Sequence, residues 1–359
     1  MGDLLTWPLR IAIPTRPGAF RLFLALLVFV YHFSSFGMGH YAVHVFFILS
    51  GYWLYRMWME RYRETRSPYA TFLISRVWRL APVMLLVSAV TIPLLLAMGK
   101  PVDQVLAANP AHLAFSSIAM LGYAWLPYAP VGAAWSLDIE MQFYLAVPVL
   151  AALVARGRPL AVLVAALLSS VGCALVGGAP ILPTYLLFFV IGMVAAKVDW
   201  RPGRKLAGGS AALVFAALVL VTLSPWKGVL WGGNDPGPLY VWNVPFNALL
   251  AIGSAPYAIH TVHRRSDATD RMLGDLSYIV YLLHWVAMQW FFTLEGSFLQ
   301  RLPAAAACFV VVPGAALAIW YWVDRPANRA RAAYVASRLS GPQVHQADAA
   351  GTTRGVGAG

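Results

Sequence analysis

Residues 20–37 read FRLFLALLVFVYHFSSFG, an unbroken apolar run carrying two ionisable side chains, Arg21 and His32. The run has the length and composition of a helix buried in lipid, where ionisable groups are expensive. At about 100° per residue, eleven residues come to roughly 20° past three full turns, so Arg21 and His32 share one stripe. His32 sits about 16 Å deeper than Arg21. Charged and titratable groups inside a membrane usually face a bundle interior or a water-filled cavity and mark a substrate or proton path. This stripe therefore reads as a reaction centre.

The whole chain agrees with that reading. Of its 359 residues, 60% are hydrophobic and only 11% charged, with a mean hydropathy of +0.68, which excludes a soluble globular domain. The net charge of +12 does not point to nucleic acid, because the basic residues fall in short clusters between long apolar runs, as the positive-inside rule places them. Cys173 and Cys308 lie in separate apolar runs without CxxC spacing and support neither a disulfide framework nor a metal site. The N-terminus carries Arg10 and Arg16 ahead of the first run. No small-residue cleavage site follows, so the run reads as a retained span and not as a signal peptide. The opening Met-Gly-Asp, with Thr6, is a weak myristoylation start.

Runs of about 20 residues predict ten transmembrane helices near 18–37, 42–58, 80–98, 135–155, 159–177, 180–197, 206–224, 239–260, 272–294 and 303–323. The fold class is an all-α, polytopic membrane helix bundle. Basic clusters at Arg10/Arg16, 56–79, 156–158, 197–205, 263–265 and 325–331 all land on one side, predicting both termini in the cytoplasm. Segment 99–134 cannot hold two crossings: its apolar part, 112–127, is short, and Pro127 and Pro130 break it. It is expected to re-enter the membrane or lie on its surface, capping an outer cavity. Segment 225–238, rich in Trp, Gly and Pro, reads as an outer loop, either contacting a sugar-like acceptor or serving as an interfacial aromatic belt. Residues 1–339 form one transmembrane domain, and the polar, small-residue tail 340–359 reads as disordered.

Arg76 and Arg79, in SRVWRLAP, share a helix face and are placed at the opening of the third span. Two planar guanidiniums beside a helix N-terminus suit a phosphate ligand; a positive-inside anchor on lipid headgroups is the alternative. Glu140, in AAWSLDIEMQFYL with Trp135 and Asp138 nearby, falls inside an apolar run on the face of Tyr144. Such a carboxylate needs a partner, a histidine, an arginine or an acceptor hydroxyl, or else serves a structural ion pair. His44, in AVHVFFILSGYWLY, and His284, three residues after Tyr281 in LSYIVYLLHW, are further buried histidines that either pack or act. Ser50-Gly51 is expected to let two helices approach closely.

In this order, Arg21 followed by His32, FFILSGY, RVWRLAP, WSLDIEMQFYL, LGDLSYIVYLLHW and YWVDRPANR resemble the acyltransferase 3 family of integral membrane acyltransferases, over roughly residues 17–327. The resemblance implies acyl-CoA, most commonly acetyl-CoA, as donor on the cytoplasmic side, an acceptor hydroxyl at or beyond the outer face, and no metal. It carries over His32 and Arg21 as the essential first-span pair, Arg76 and Arg79 as the arginines associated with the donor, and Glu140 as the acid of the Trp-Ser motif. His44, Ser50, Trp135, Asp138, Tyr144, Tyr281 and His284 are candidates for the surrounding or acceptor site. One departure is plain: many members carry an acid where this chain has His44.

A neutral imidazole at His32 is placed to take a proton from an attacking hydroxyl as general base, or to carry the acyl group itself. Among short stand-alone members, O-acetylation of bacterial surface or secreted polysaccharide, or of its lipid-linked precursor, is common, and that is the expected activity, in the inner membrane. Antibiotics and other secondary metabolites are the alternative acceptors. The expected partners are acyl-CoA, the glycan, membrane lipids and other polysaccharide-assembly proteins. A transporter without chemistry would show internal repeats and paired broken helices, and neither is visible.

Overall fold

The computed structural model describes residues 14–102, 104, 106, 109–232 and 237–339. The readings of Met1–Gly2–Asp3, Arg10 and tail 340–359 lie outside the described residues. Helices run in the order α1 (Pro17–Phe33), α2 (Gly39–Glu60), α3 (Pro68–Ala97), α4 (Pro110–Ala119), α5 (Trp135–Arg156), α6 (Pro159–Leu175), α7 (Leu182–Lys197), α8 (Arg204–Leu223), α9 (Asn243–Gly253), α10 (Ala255–Val262), α11 (Ala268–Phe291), α12 (Phe298–Ile319) and α13 (Arg325–Arg338). Among the described residues the only strand-like pairings are two isolated bridges, Phe36 with Trp231 and Thr65 with Leu339.

Proline opens many of these helices, at the first-turn position where its missing N–H costs nothing: Pro17, Pro68, Pro110 and Pro159 are examples. Pro68–Ala97, Gly132–Arg156, Arg204–Leu223 and Leu299–Arg338 are long and apolar enough to cross a membrane, with Pro17–Phe33, Pro159–Leu175 and Leu182–Lys197 as shorter apolar helices. Leu160, Leu168, Leu220 and Val310 stand largely exposed on the bundle's outside. Apolar faces of that extent would be unfavourable in water and fit hydrocarbon.

Three expectations change in detail. The third helix begins at Pro68, not near residue 80, so Arg76 and Arg79 lie about 12 Å or more beyond its start and outside the first turn, where the helix dipole acts. The dipole argument for a phosphate there falls. The predicted span 239–260 is two helices, Asn243–Gly253 and Ala255–Val262, broken at Ser254 before Pro256. The last span does not stop at 323 but passes through a π-helical turn, Trp320–Asp324, into α13.

Among the described residues, segment 99–134 contains no helix long enough to cross. It holds the ten-residue α4 and the single turns Tyr123–Trp125 and Gly132–Ala134. Tyr123 and Val131 are buried, and the Val131 amide donates to the Tyr123 hydroxyl at 2.8 Å. In segment 225–238, Trp226 and Trp231 are exposed.

Helix α2 is the hub, packing on α1, α5, α7, α9 and α10. Its approach to α7 is backbone on backbone: a Cβ at Gly51 would collide with the Phe189 carbonyl, and one at Gly192 with the Ile48 carbonyl. This bears out the close approach expected at Ser50-Gly51, the small-residue packing of membrane helices. Gly192→Leu should therefore cost more than about 3 kcal/mol, above the usual overpacking penalty because backbone must move. The check is the fraction of monodisperse folded protein recovered in detergent, expected to fall to near zero; wild-type recovery would refute the contact.

Two polar devices fix α1. The Asp270 carboxylate on α11 accepts from the Gly18 and Ala19 amides at 3.1 and 2.9 Å, satisfying donors that a helix start leaves free. At the other end, buried Asn243 and Asn247 on α9 both donate to the Gly37 carbonyl at 2.9 Å, and Asn247 accepts from the Tyr41 amide at 3.0 Å. Arg21 and His32 are thus held at the two ends of one clamped helix.

Candidate active site

Residues of α2 at positions 43, 46, 47, 50, 53, 54 and 57 line a cavity of about 310 Å³. Their spacing is one helix face, and Val43 to Met57 covers about 21 Å of axis. The opposite walls come from α1 through Arg21, α3 through Arg76 and Arg79, α5 through Ser136, Glu140 and Tyr144, and α11 through Tyr278 and Tyr281. Of the sequence candidates, Arg21, Ser50, Arg76, Arg79, Glu140, Tyr144 and Tyr281 line this one chamber.

Glu140 receives two hydroxyl hydrogen bonds, from Tyr144 at 2.7 Å and from Ser50 on α2 at 2.9 Å. One comes from the same face of α5, four residues on, and one from across the bundle. Arg21 shares the cavity with Glu140, but among the described residues it makes no ion pair within 4.0 Å, and its buried Nε has no hydrogen-bond partner.

The two arginines of α3 differ sharply. Arg79 donates to Asp324 of the π-turn at 2.8 Å and to Asp275 of α11 at 3.0 Å. Asp324 is 2% exposed and is also held by Asn328 at 2.9 Å. Arg79 is thereby a cross-link among α3, α11 and the π-turn. Arg76 is 7% exposed, donates through Nη2 to the Tyr62 hydroxyl at 2.8 Å, and leaves Nε unpartnered among the described residues. No carboxylate lies within 4.0 Å of it among the described residues.

Two of the lining residues form a small polar knot. Tyr281 and Ser136 hydroxyls lie 2.8 Å apart, one donating to the other, and lie 3.0 and 3.2 Å from the Ala133 carbonyl, which accepts from the hydroxyl whose proton is left. His32 is not in the lining. Its ring stacks on His284 at 5.1 Å and meets Trp285 edge-on at 5.3 Å, and His284 in turn lies 5.8 Å from Tyr281. Arg21 lines the chamber and His32 does not; His32 sits beside His284, which neighbours the lining residue Tyr281. His284 Nδ1 lies 3.3 Å from the Val280 carbonyl. Its Nε2 is unpartnered among the described residues.

The remaining candidates are elsewhere. His44 is buried against Phe188, rings parallel at 4.1 Å, outside the cavity lining. Trp135 packs near Tyr185 and His40. Asp138 is fully buried, accepting from the Ala124 amide and from Gln142, each at 3.0 Å, and so pins the turn that precedes α5. Sequence reasoning passed over Ser136, Tyr278, Asp275, Asp324 and Tyr62. Asp275 and Asp324 sit within LGDLSYIVYLLHW and YWVDRPANR, where an acid inside an apolar motif was the available signal. No group of three or more metal-ligating side chains occurs among the described residues.

An apolar multi-helix bundle that encloses arginines, a carboxylate and hydroxyls in one elongated chamber is an integral membrane protein built around a buried polar site. Residues 17–323 match the family model described as an acyltransferase domain, and the chain belongs to the acyltransferase 3 family. It is accordingly an enzyme that transfers acyl groups. No curated protein and no solved structure matches it.

Proposed function

We propose that this chain moves an acetyl group from cytoplasmic acetyl-CoA to a hydroxyl of a bacterial surface polysaccharide or its lipid-linked precursor, in the inner membrane. The observation that carries this reading is the shape and polarity of the chamber: about 21 Å long, with a carboxylate-free buried arginine at one end and hydroxyls leading toward a histidine pair at the other. A slender phosphorylated thioester fits such a space, its phosphates at the arginine-rich end and its acyl group at Tyr281 and Ser136.

Transfer then requires the Tyr281–Ser136 contact to part, so that the thioester carbonyl meets an acceptor hydroxyl near His32. The hydroxyl oxygen bonds to the acyl carbon while His32 takes the hydroxyl proton. The carbon–sulfur bond breaks and the proton passes to the departing thiolate, giving ester and free thiol. Positioned proton transfer contributes about 10²- to 10⁴-fold, and holding both reactants in a dry site contributes further. Arg21, facing the chamber with a free Nε, is placed to hold the donor or the developing oxyanion.

The test is to incubate the purified protein with radiolabelled acetyl-CoA and surface glycan from a strain lacking the gene. Label on the glycan, released by mild base as an ester is, supports the reading. Unmodified glycan, with unlabelled substrate carried into vesicles, contradicts it and identifies a transporter.

A further inference from the structure

Two guanidiniums converge on one neutral hydroxyl beside the chamber. Arg331 of α13 donates through Nη1 to Ser75 Oγ at 3.1 Å, and Arg76 Nη2 lies 3.4 Å from the same oxygen. Ser75 and Tyr62 hydroxyls are 2.8 Å apart, and Arg76 Nη2 is 2.8 Å from the Tyr62 hydroxyl. The only other hydrogen bond from Arg331 among the described residues goes to the Asn328 side-chain oxygen at 3.2 Å. Neither cation has a carboxylate within 4.0 Å among the described residues.

Like charges sharing a neutral partner repel, and burial strengthens the repulsion. An arrangement of this kind is relieved by an anion, and Arg76 Nε, buried and unpartnered among the described residues, is a donor still open to one. Arg79, one turn away on α3, is already matched by Asp275 and Asp324 and has no such need. Arg331 lies beyond residues 17–323, the part of the chain that matches the family model.

We propose that Arg76 and Arg331, joined by Ser75 and Tyr62, form the clamp that holds a phosphate group of the acyl donor, and that Arg79 is the strut supporting it. The inference rests on the donor reading given above. Planar guanidinium forks match phosphate oxygens bidentately, and the two hydroxyls add neutral donors on the same side. The clamp ties the C-terminal helix to donor binding: α13 is further held by the Arg66 amide donating to the Arg338 carbonyl at 3.0 Å.

The experiment is calorimetric titration of coenzyme A, and separately of phosphate-free S-acetylpantetheine, into full-length wild type, R331Q and R331K in neutral detergent. R331Q is expected to weaken coenzyme A by about 10- to 100-fold, the loss of a charge-assisted contact, while S-acetylpantetheine is unaffected. R331K, keeping the charge, should recover part of the loss. Wild-type coenzyme A affinity in R331Q overturns the clamp alone; equal weakening of both ligands overturns it in favour of a structural role. Native mass spectra showing that R331Q loses a bound phospholipid, at unchanged coenzyme A affinity, assign the phosphate to a lipid headgroup and also overturn it. A wild type that binds no coenzyme A overturns the donor reading itself.

Discussion

His32→Ala is expected to abolish acyl transfer, with a fall of about 10²- to 10⁴-fold in turnover at saturating donor and acceptor, while the protein still inserts and folds. The loss follows from removing the imidazole proposed as the general base beyond the Tyr281–Ser136 knot. The retention of fold follows from what the ring touches. Its contacts are Tyr31, His284 and Trp285 by ring packing, and no hydrogen bond ties it to the bundle among the described residues. An alanine also costs less in lipid than a histidine does. Turnover would be measured as labelled ester formed per minute, with monodispersity and thermal unfolding as controls. Turnover near wild type would remove His32 from the mechanism.

Arg76→Gln and Arg79→Gln should separate, although the two residues lie three apart on one helix. Losing Arg76 takes away a buried cation that no carboxylate balances, so the folded state gives up little. The donor KM should rise about 10- to 100-fold, with kcat within a few-fold. Losing Arg79 strands Asp324, which is 2% exposed, and breaking one side of a buried ion pair costs about 3–5 kcal/mol. That variant should fail by lost folded protein and a lower unfolding temperature before any change in donor affinity is read. Should Arg79→Gln prove as stable as wild type and weaken the donor as strongly as Arg76→Gln, the division between clamp and strut is wrong.

The bundle was legible because each apolar run is about as long as a bilayer-crossing helix, and a run of that kind has few other folds open to it. The start of α3 was not. Residues 68–79 are polar enough to end a hydropathy window, yet the helix continues through them because Pro68 opens it and the arginines find partners in α11, the π-turn and Tyr62. Glu140 with Tyr144 followed from helical spacing alone. Glu140 with Ser50 did not, since that contact spans two helices 90 positions apart. The same limit hid the carboxylates of Arg79, which lie 196 and 245 positions away. Arg21 and His32 do lie on one helix, Pro17–Phe33. His284 and Trp285, the rings beside His32, come from α11, and a single helix's periodicity carries no information about its neighbours' side chains.

The central claim is that an acyl group enters from the arginine-rich end and leaves on the histidine side. The most direct measurement seals radiolabelled acetyl-CoA inside proteoliposomes of oriented full-length protein, its arginine-rich end facing the lumen, and supplies the acceptor glycan only outside. The account predicts labelled ester on the external glycan, with coenzyme A thiol retained inside. Ester formed only when donor and glycan share one compartment would contradict it.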